Sequence, residues 1–150
     1  MQSESLKVVI YPNPILRKKC REVEDPKAPE IQKLILDMIK TMEENKGIGL
    51  SAPQVGLDLR ICVIKVDNET RVFINPQIKS YSKRREIFEE GCLSFPGKYL
   101  PIERPTKIKV KAKDANGKKF KLKVDGLLSR VIQHEVDHLD GVLFIDRVAK

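Results

Sequence analysis

An α+β domain, with short antiparallel strands and hairpins packed around a central buried helix, is the fold class this sequence predicts. Three observations point to it. Apolar residues recur at helical spacing in two windows, 31–42 and 127–139. Residues 107–124 alternate apolar side chains with lysines at a period of two. The other apolar runs are short, rich in Val and Ile, and bounded by Pro, Asn and Gly.

The elements follow in order. Lys7 to Ile10 is a short β-branched segment, broken by Tyr11-Pro12-Asn13-Pro14, whose prolines impose an extended or turning chain. Asp25-Pro26 reads as a helix start, with Asp as N-cap and Pro at the first helical position. Ile31, Leu34, Ile35, Met38, Ile39 and Met42 then form one apolar stripe, and Gly47 is the expected stop. Arg60 to Val66 reads as a strand buried on both faces, with Cys62 as a small core hydrophobe. Val72-Phe73-Ile74 is a second strand, expected to end at Asn75-Pro76.

The clearest β signal is a hairpin. Ile108, Val110 and Ala112 alternate with lysines, as do Phe120, Leu122 and Val124, and Asp114-Ala115-Asn116-Gly117 supplies the turn. Its lysine face is expected to be solvated and to discourage edge-to-edge pairing, with RNA as the alternative occupant. Asp125 to Leu139 is the second helix. Leu127, Leu128, Val131, Ile132, Val136 and Leu139 give it a broad apolar face, so a central position is expected.

The 150 residues carry no internal repeat or linker, and one domain over 1–150 is expected. Hydrophobic residues at 41% with 33% charged exclude a disordered chain. No apolar run approaches the ~20 residues that span a bilayer, and the start MQSESLKVVIYP lacks a signal-peptide pattern, so a cytoplasmic location is expected. The net charge of +8 suits an anionic partner or a plain solvated surface. Three widely spaced cysteines, Cys20, Cys62 and Cys92, argue against a disulfide framework.

The two histidines are the most informative residues. His134-Glu135-Val136-Asp137-His138 lies in the second helix, where residues four apart are offset by only ~40°. Both imidazoles therefore leave one face, as two ligands of one metal need. Glu135, ~100° round, sits beside such a metal without being a ligand and suits a general base acting on water. Burying three polar groups in an apolar helix without a partner would be costly.

A catalytic site needs a third ligand. Gly141 matches the glycine of the longer HExxHxxGxxH pattern, but Phe144 stands where its third His would be. Downstream of His138 the only carboxylates are Asp140 and Asp146, so the third ligand is sought upstream. Cys92, in Glu90-Gly91-Cys92-Leu93-Ser94, is the best candidate. A structural thiol and a catalytic nucleophile are its other readings. Cys-His-His suits Zn(II), Fe(II), Co(II) and Ni(II) alike. In Gly47-Ile48-Gly49-Leu50-Ser51-Ala52-Pro53-Gln54, glycines allow close backbone approach, and Gln54 offers a neutral donor for an oxyanion.

Together these stretches resemble the peptide deformylases, which carry GxGLAAxQ, EGCLS and QHExDHLxG motifs in this order. Here they read GIGLSAPQ at 47–54, EGCLS at 90–94 and QHEVDHLDG at 133–141. The likeness extends to YPNPILR and VFINP and spans nearly the whole chain. Ser51 replaces the usual alanine, an exchange expected to matter little. The resemblance implies removal of the N-formyl group from formyl-methionyl nascent peptides, with Fe(II) as the cellular metal. It implies Cys92, His134 and His138 as ligands, and Glu135 as the proton carrier. The Gln54 side chain and the Leu93 N–H would hold the oxyanion. Ile48, Gly49, Phe88, Leu127 and Val131 would line the methionine pocket, and Gly49 and Gly91 would bond the peptide backbone. Arg130, on the ligand face of the helix, is expected to lend its aliphatic stem to the pocket. The sequence stops at Lys150 without the C-terminal helical extension of some members, which speaks against ribosome docking through such an extension; weak ribosome association is expected through the basic surface. An endopeptidase on the same helix and a basic RNA-binding module with a structural metal are the rival readings.

Overall fold

In the computed structural model, which describes residues 2–150, the first helix, α1 (Pro29–Glu44), starts at Pro29 rather than at Pro26. Proline disfavours the helical conformation in the residue before it, and Ala28 is extended at ψ 139°. The helix cannot run back through it. Asp25 closes a turn instead, its side chain accepting from the Lys27 N–H at 3.1 Å. At the other end Lys46, at φ 56°, takes the left-handed position expected of Gly47. The Lys46 and Gly47 N–H groups donate back to the Glu43 and Met42 carbonyls at 3.0 and 2.9 Å, a Schellman closure. Gly47 is thereby free for another use.

The strands are β1 (Gly49–Ser51), β2 (Ile61–Val66), β3 (Glu69–Tyr81), β4 (Arg85–Glu90), β5 (Leu100–Pro105), β6 (Lys107–Lys113) and β7 (Lys119–Asp125), followed by α2 (Gly126–Leu139). One antiparallel sheet has the order β1-β2-β3-β6-β7; β4 and β5 pair separately. The architecture is α+β, as expected, and the hairpin β6–β7 pairs in the anticipated register, Val110 opposite Leu122. The second strand is corrected: β3 does not end at Asn75-Pro76 but continues to Tyr81. The register slips between Ile74 and Gln77, a bulge that accommodates a proline with no N–H to give. Asn75 adopts φ 53° there, and its side chain bonds the Val23 N–H and carbonyl at 2.8 and 2.9 Å. Residues 7–10 form no regular strand, but the Val9 N–H donates to the Gln54 carbonyl at 2.7 Å.

Strand β2 is buried on both faces because the sheet is covered on both. Ile61 and Val63 pack with Ile35, Met38 and Met42 of α1. Cys62 and Ile64 pack with Val131, Ile132 and Val136 of α2. A third apolar cluster, Leu16, Phe95, Ile102, Leu143 and Phe144, packs the segment that follows α2 against β5. Gly141 leaves that helix at φ 73°, where an added Cβ would lie 2.4 Å from the Arg17 carbonyl oxygen, so only glycine lets the chain pass. Among the described residues no helix is long and apolar enough to cross a membrane.

Candidate metal centre

Helix α2 carries His134 and His138 one turn apart, and the loop leaving β4 carries Cys92. One donor atom from each lies within 4.8 Å of the other two, the only such group of three among the described residues. Cys92 Sγ is 3.3 Å from His138 Nε2. The Nδ1 of His134 bonds Glu90 at 2.9 Å, which leaves Nε2 to face the cluster. A thiolate and two imidazoles converging at this range are a coherent donor set for one divalent ion. Two further observations fit. Glu135 Oε1 is a buried polar atom without a hydrogen-bond partner. Glu135 is only 3% exposed and borders the same cavity as Cys92 and His134. Burial pushes its carboxyl up to about 7.

That cavity, of about 500 Å³, is walled by the motif loops: Gly47 to Gly49, Gln54, Gly91 to Leu93 and the segment Phe95 to Tyr99. Gln54 is buried and its amide is held at both ends. Its Oε1 accepts from the Ser51 N–H and the Ser51 hydroxyl, each at 3.0 Å. Its Nε2 donates to Ser94 Oγ at 3.2 Å and points at Cys92 Sγ at 3.5 Å. Ser51 is therefore more than a small filler: alanine would lose one of two bonds to that amide oxygen.

A second hollow of about 130 Å³ touches His134 and brings together Ile48, Gly91, Leu127, Arg130 and Val131. Phe88 is not with them. The residue is 56% exposed, and its ring centroid lies 5.1 Å from the Arg130 guanidinium, bordering a neighbouring hollow. Gly49 belongs to the large cavity, against Glu135.

Sequence reasoning missed the charged network beneath the histidines. Glu90 accepts from Arg104 at 2.7 and 3.0 Å and from Arg130 at 2.6 Å. Burial opposes its charge, but the hydrogen bonds from His134 and Arg104 overcome this and hold its pKa at about 2. Arg104, with a side chain 2% exposed, also reaches Asp137 at 2.9 Å, which pairs with Arg147. The available signal was Arg104 at an inward position of an alternating segment, a buried charge that requires a partner.

The polypeptide deformylase family profile matches residues 5–150. Peptide deformylase 1 of Clostridium perfringens is 54% identical over 134 residues, covering 88% of this chain and 90% of that one. The peptide deformylase of a Picosynechococcus strain is 49% identical over 142 residues, covering 89% and 74%. Among solved structures, the peptide deformylase of Thermotoga maritima superposes with a TM-score of 0.95 at 40% identity, covering 98% and 99% of the two chains. That of Synechococcus elongatus, in complex with actinonin, gives 0.93 at 41%, covering 100% and 85%.

Proposed function

The chain belongs to the polypeptide deformylase family, and from that premise we propose how its own residues carry the reaction. The enzyme is a metal-dependent hydrolase that removes the formyl group from the N terminus of nascent polypeptides. The observation that carries the assignment of roles is the convergence of Cys92, His134 and His138 beside Glu135 and Gln54 in one cavity.

Cys92, His134 and His138 hold the metal, with Fe(II) as the cellular ion and Zn(II), Ni(II) or Co(II) as substitutes. When bound, the ion supplies a Lewis acid and lowers the pKa of water towards ~7. Glu135 takes the proton of the attacking water and delivers it to the departing amine. The Gln54 amide and the Leu93 N–H donate to the oxyanion that develops on the formyl oxygen. Ile48, Leu127 and Val131 surround the methionine side chain, while Gly49 and Gly91 present backbone to the peptide. Phe88 acts one layer further out, through Arg130. Residues 1–150 form one catalytic domain, with α2 as the central helix, a reading supported by its packing on β1, β2, β3, β6 and β7. The protein works in the cytoplasm, and its basic surface supports weak ribosome association.

The direct test is formate release from formyl-Met-Ala-Ser by anaerobically purified protein, with metal analysed alongside. Fully metal-loaded protein that releases no formate contradicts the proposal. Ligand assignment has its own test. Cys92→Ala is expected to lose the metal, whereas Cys20→Ala and Cys62→Ala keep it, since both thiols are buried in packing away from the cluster. Loss of metal from Cys62→Ala with Cys92→Ala still loaded would overturn it. Ser51→Ala should fold, because alanine is usual at that position in the motif. It is expected to lower kcat about 3- to 10-fold, the scale of one hydrogen bond, with KM little changed. The same substitution in a Gln54→Ala background should have no further effect. An undiminished loss there would separate Ser51 from Gln54.

A further inference from the structure

Two hollows meet at Arg130. The first, about 130 Å³, opens beside His134. The second, about 230 Å³, lies on the other side and is lined by Phe88, Pro105 and Thr106. Glu89, Leu127 and Arg130 border both. Arg130 is fastened as few surface arginines are. Its side chain is 11% exposed, and its guanidinium donates to Glu90 at 2.6 Å, to the Ile102 carbonyl at 3.0 Å and to the Glu86 carbonyl at 2.7 Å. The Phe88 ring covers it from outside. A planar head with three acceptors cannot swing aside without leaving polar groups unpaired.

We propose that Arg130 is a specificity-determining partition: it closes the far end of the methionine pocket and sets the length of side chain accepted there. This rests on reading the smaller hollow as that pocket. The hollow of about 130 Å³ is the smaller of the two and opens beside His134, so a side chain entering there runs towards Arg130. A methionine side chain puts four heavy atoms in line. A longer linear chain must displace Arg130 or stay partly outside. With the partition removed, the chain would run on into the second, apolar-walled hollow.

The experiment uses the metal-loaded enzyme and formyl-X-Ala-Ser peptides in which X is methionine, norleucine, 2-aminooctanoate or 2-aminodecanoate. For the wild type, kcat/KM is expected to fall at least ~10-fold from norleucine to 2-aminodecanoate, the scale on which apolar pockets discriminate. In Arg130→Ala the same ratio should shrink to within about 3-fold, through KM. A merely structural loss would lower all four substrates together. Because Arg130→Ala also removes a partner of Glu90, Phe88→Ala provides a second variant that leaves every hydrogen bond of Arg130 in place, and it should keep the wild-type ratio. An unchanged length profile in Arg130→Ala overturns the proposal, as does a profile relaxed equally by Phe88→Ala or a crystal structure of Arg130→Ala in which the two hollows stay separate. Failure of the wild type to turn over formyl-Met-Ala-Ser would fell the underlying reading, and the partition with it.

Discussion

Glu135→Gln is expected to retain metal and fold while kcat for formate release drops at least ~10²-fold, the usual scale of general acid–base catalysis. The substitution is isosteric, and Glu135 is buried with Oε1 lacking any partner, so the amide gives up no hydrogen bond on that side. Its carboxylate is also outside the three-donor cluster, which predicts an unchanged metal content. What the amide cannot do is accept the water proton and pass it on. Steady-state kinetics on formyl-Met-Ala-Ser, beside metal analysis and a thermal melt, separate these effects. A metal-loaded variant with near-normal turnover would remove Glu135 from the mechanism.

Local residue patterns made the donor set legible. The i, i+4 histidines need only helical geometry, and with no suitable ligand downstream Cys92 is the best candidate upstream. The two carboxylates downstream are paired elsewhere in the structure, Asp140 with Arg60 and Asp146 with Arg17. The network below His134 was not legible, because it depends on pairing that no local pattern encodes. The β4–β5 register sets Arg104 opposite Glu86, yet its guanidinium reaches Glu90 four residues further along β4. The two helix boundaries failed for different reasons. At the start a local rule decides, since Pro29 keeps Ala28 extended and so bars a helix begun at Pro26. At the end Lys46 and Gly47 are adjacent candidates for the left-handed residue, and the choice fell to which one the tertiary structure could use elsewhere. Gly47 is needed at the cavity wall, where an added Cβ would come within 2.8 Å of the Leu93 side chain.

That wall carries the second large prediction: formyl peptides should exceed acetyl peptides in kcat/KM by at least ~10²-fold. Three glycines bound the space around the reacting carbonyl, and none has room for a methyl group. A Cβ on Gly49 would lie 2.5 Å from Glu135 Oε2, and one on Gly91 would lie 2.7 Å from the Tyr99 ring. A formyl carbon carries only hydrogen where an acetyl carbon carries a methyl, which would have to find room between these closely packed walls. Accommodating it means shifting the carbonyl away from the Gln54 amide or moving the Glu135 carboxylate, and a displacement of ~1 Å can cost ~10²-fold in rate. On the other side of the amide, shortening methionine to alanine forfeits contacts with Ile48, Leu127 and Val131, for a loss of ~1–3 kcal/mol in transition-state binding. The expected order of kcat/KM is therefore formyl-Met, then formyl-Ala, then acetyl-Met, measured on tripeptides ending in Ala-Ser. Equal rates on the formyl and acetyl forms of Met-Ala-Ser would mean that the glycine wall does not confine the reacting carbon, and that the cavity serves a less selective amide hydrolase.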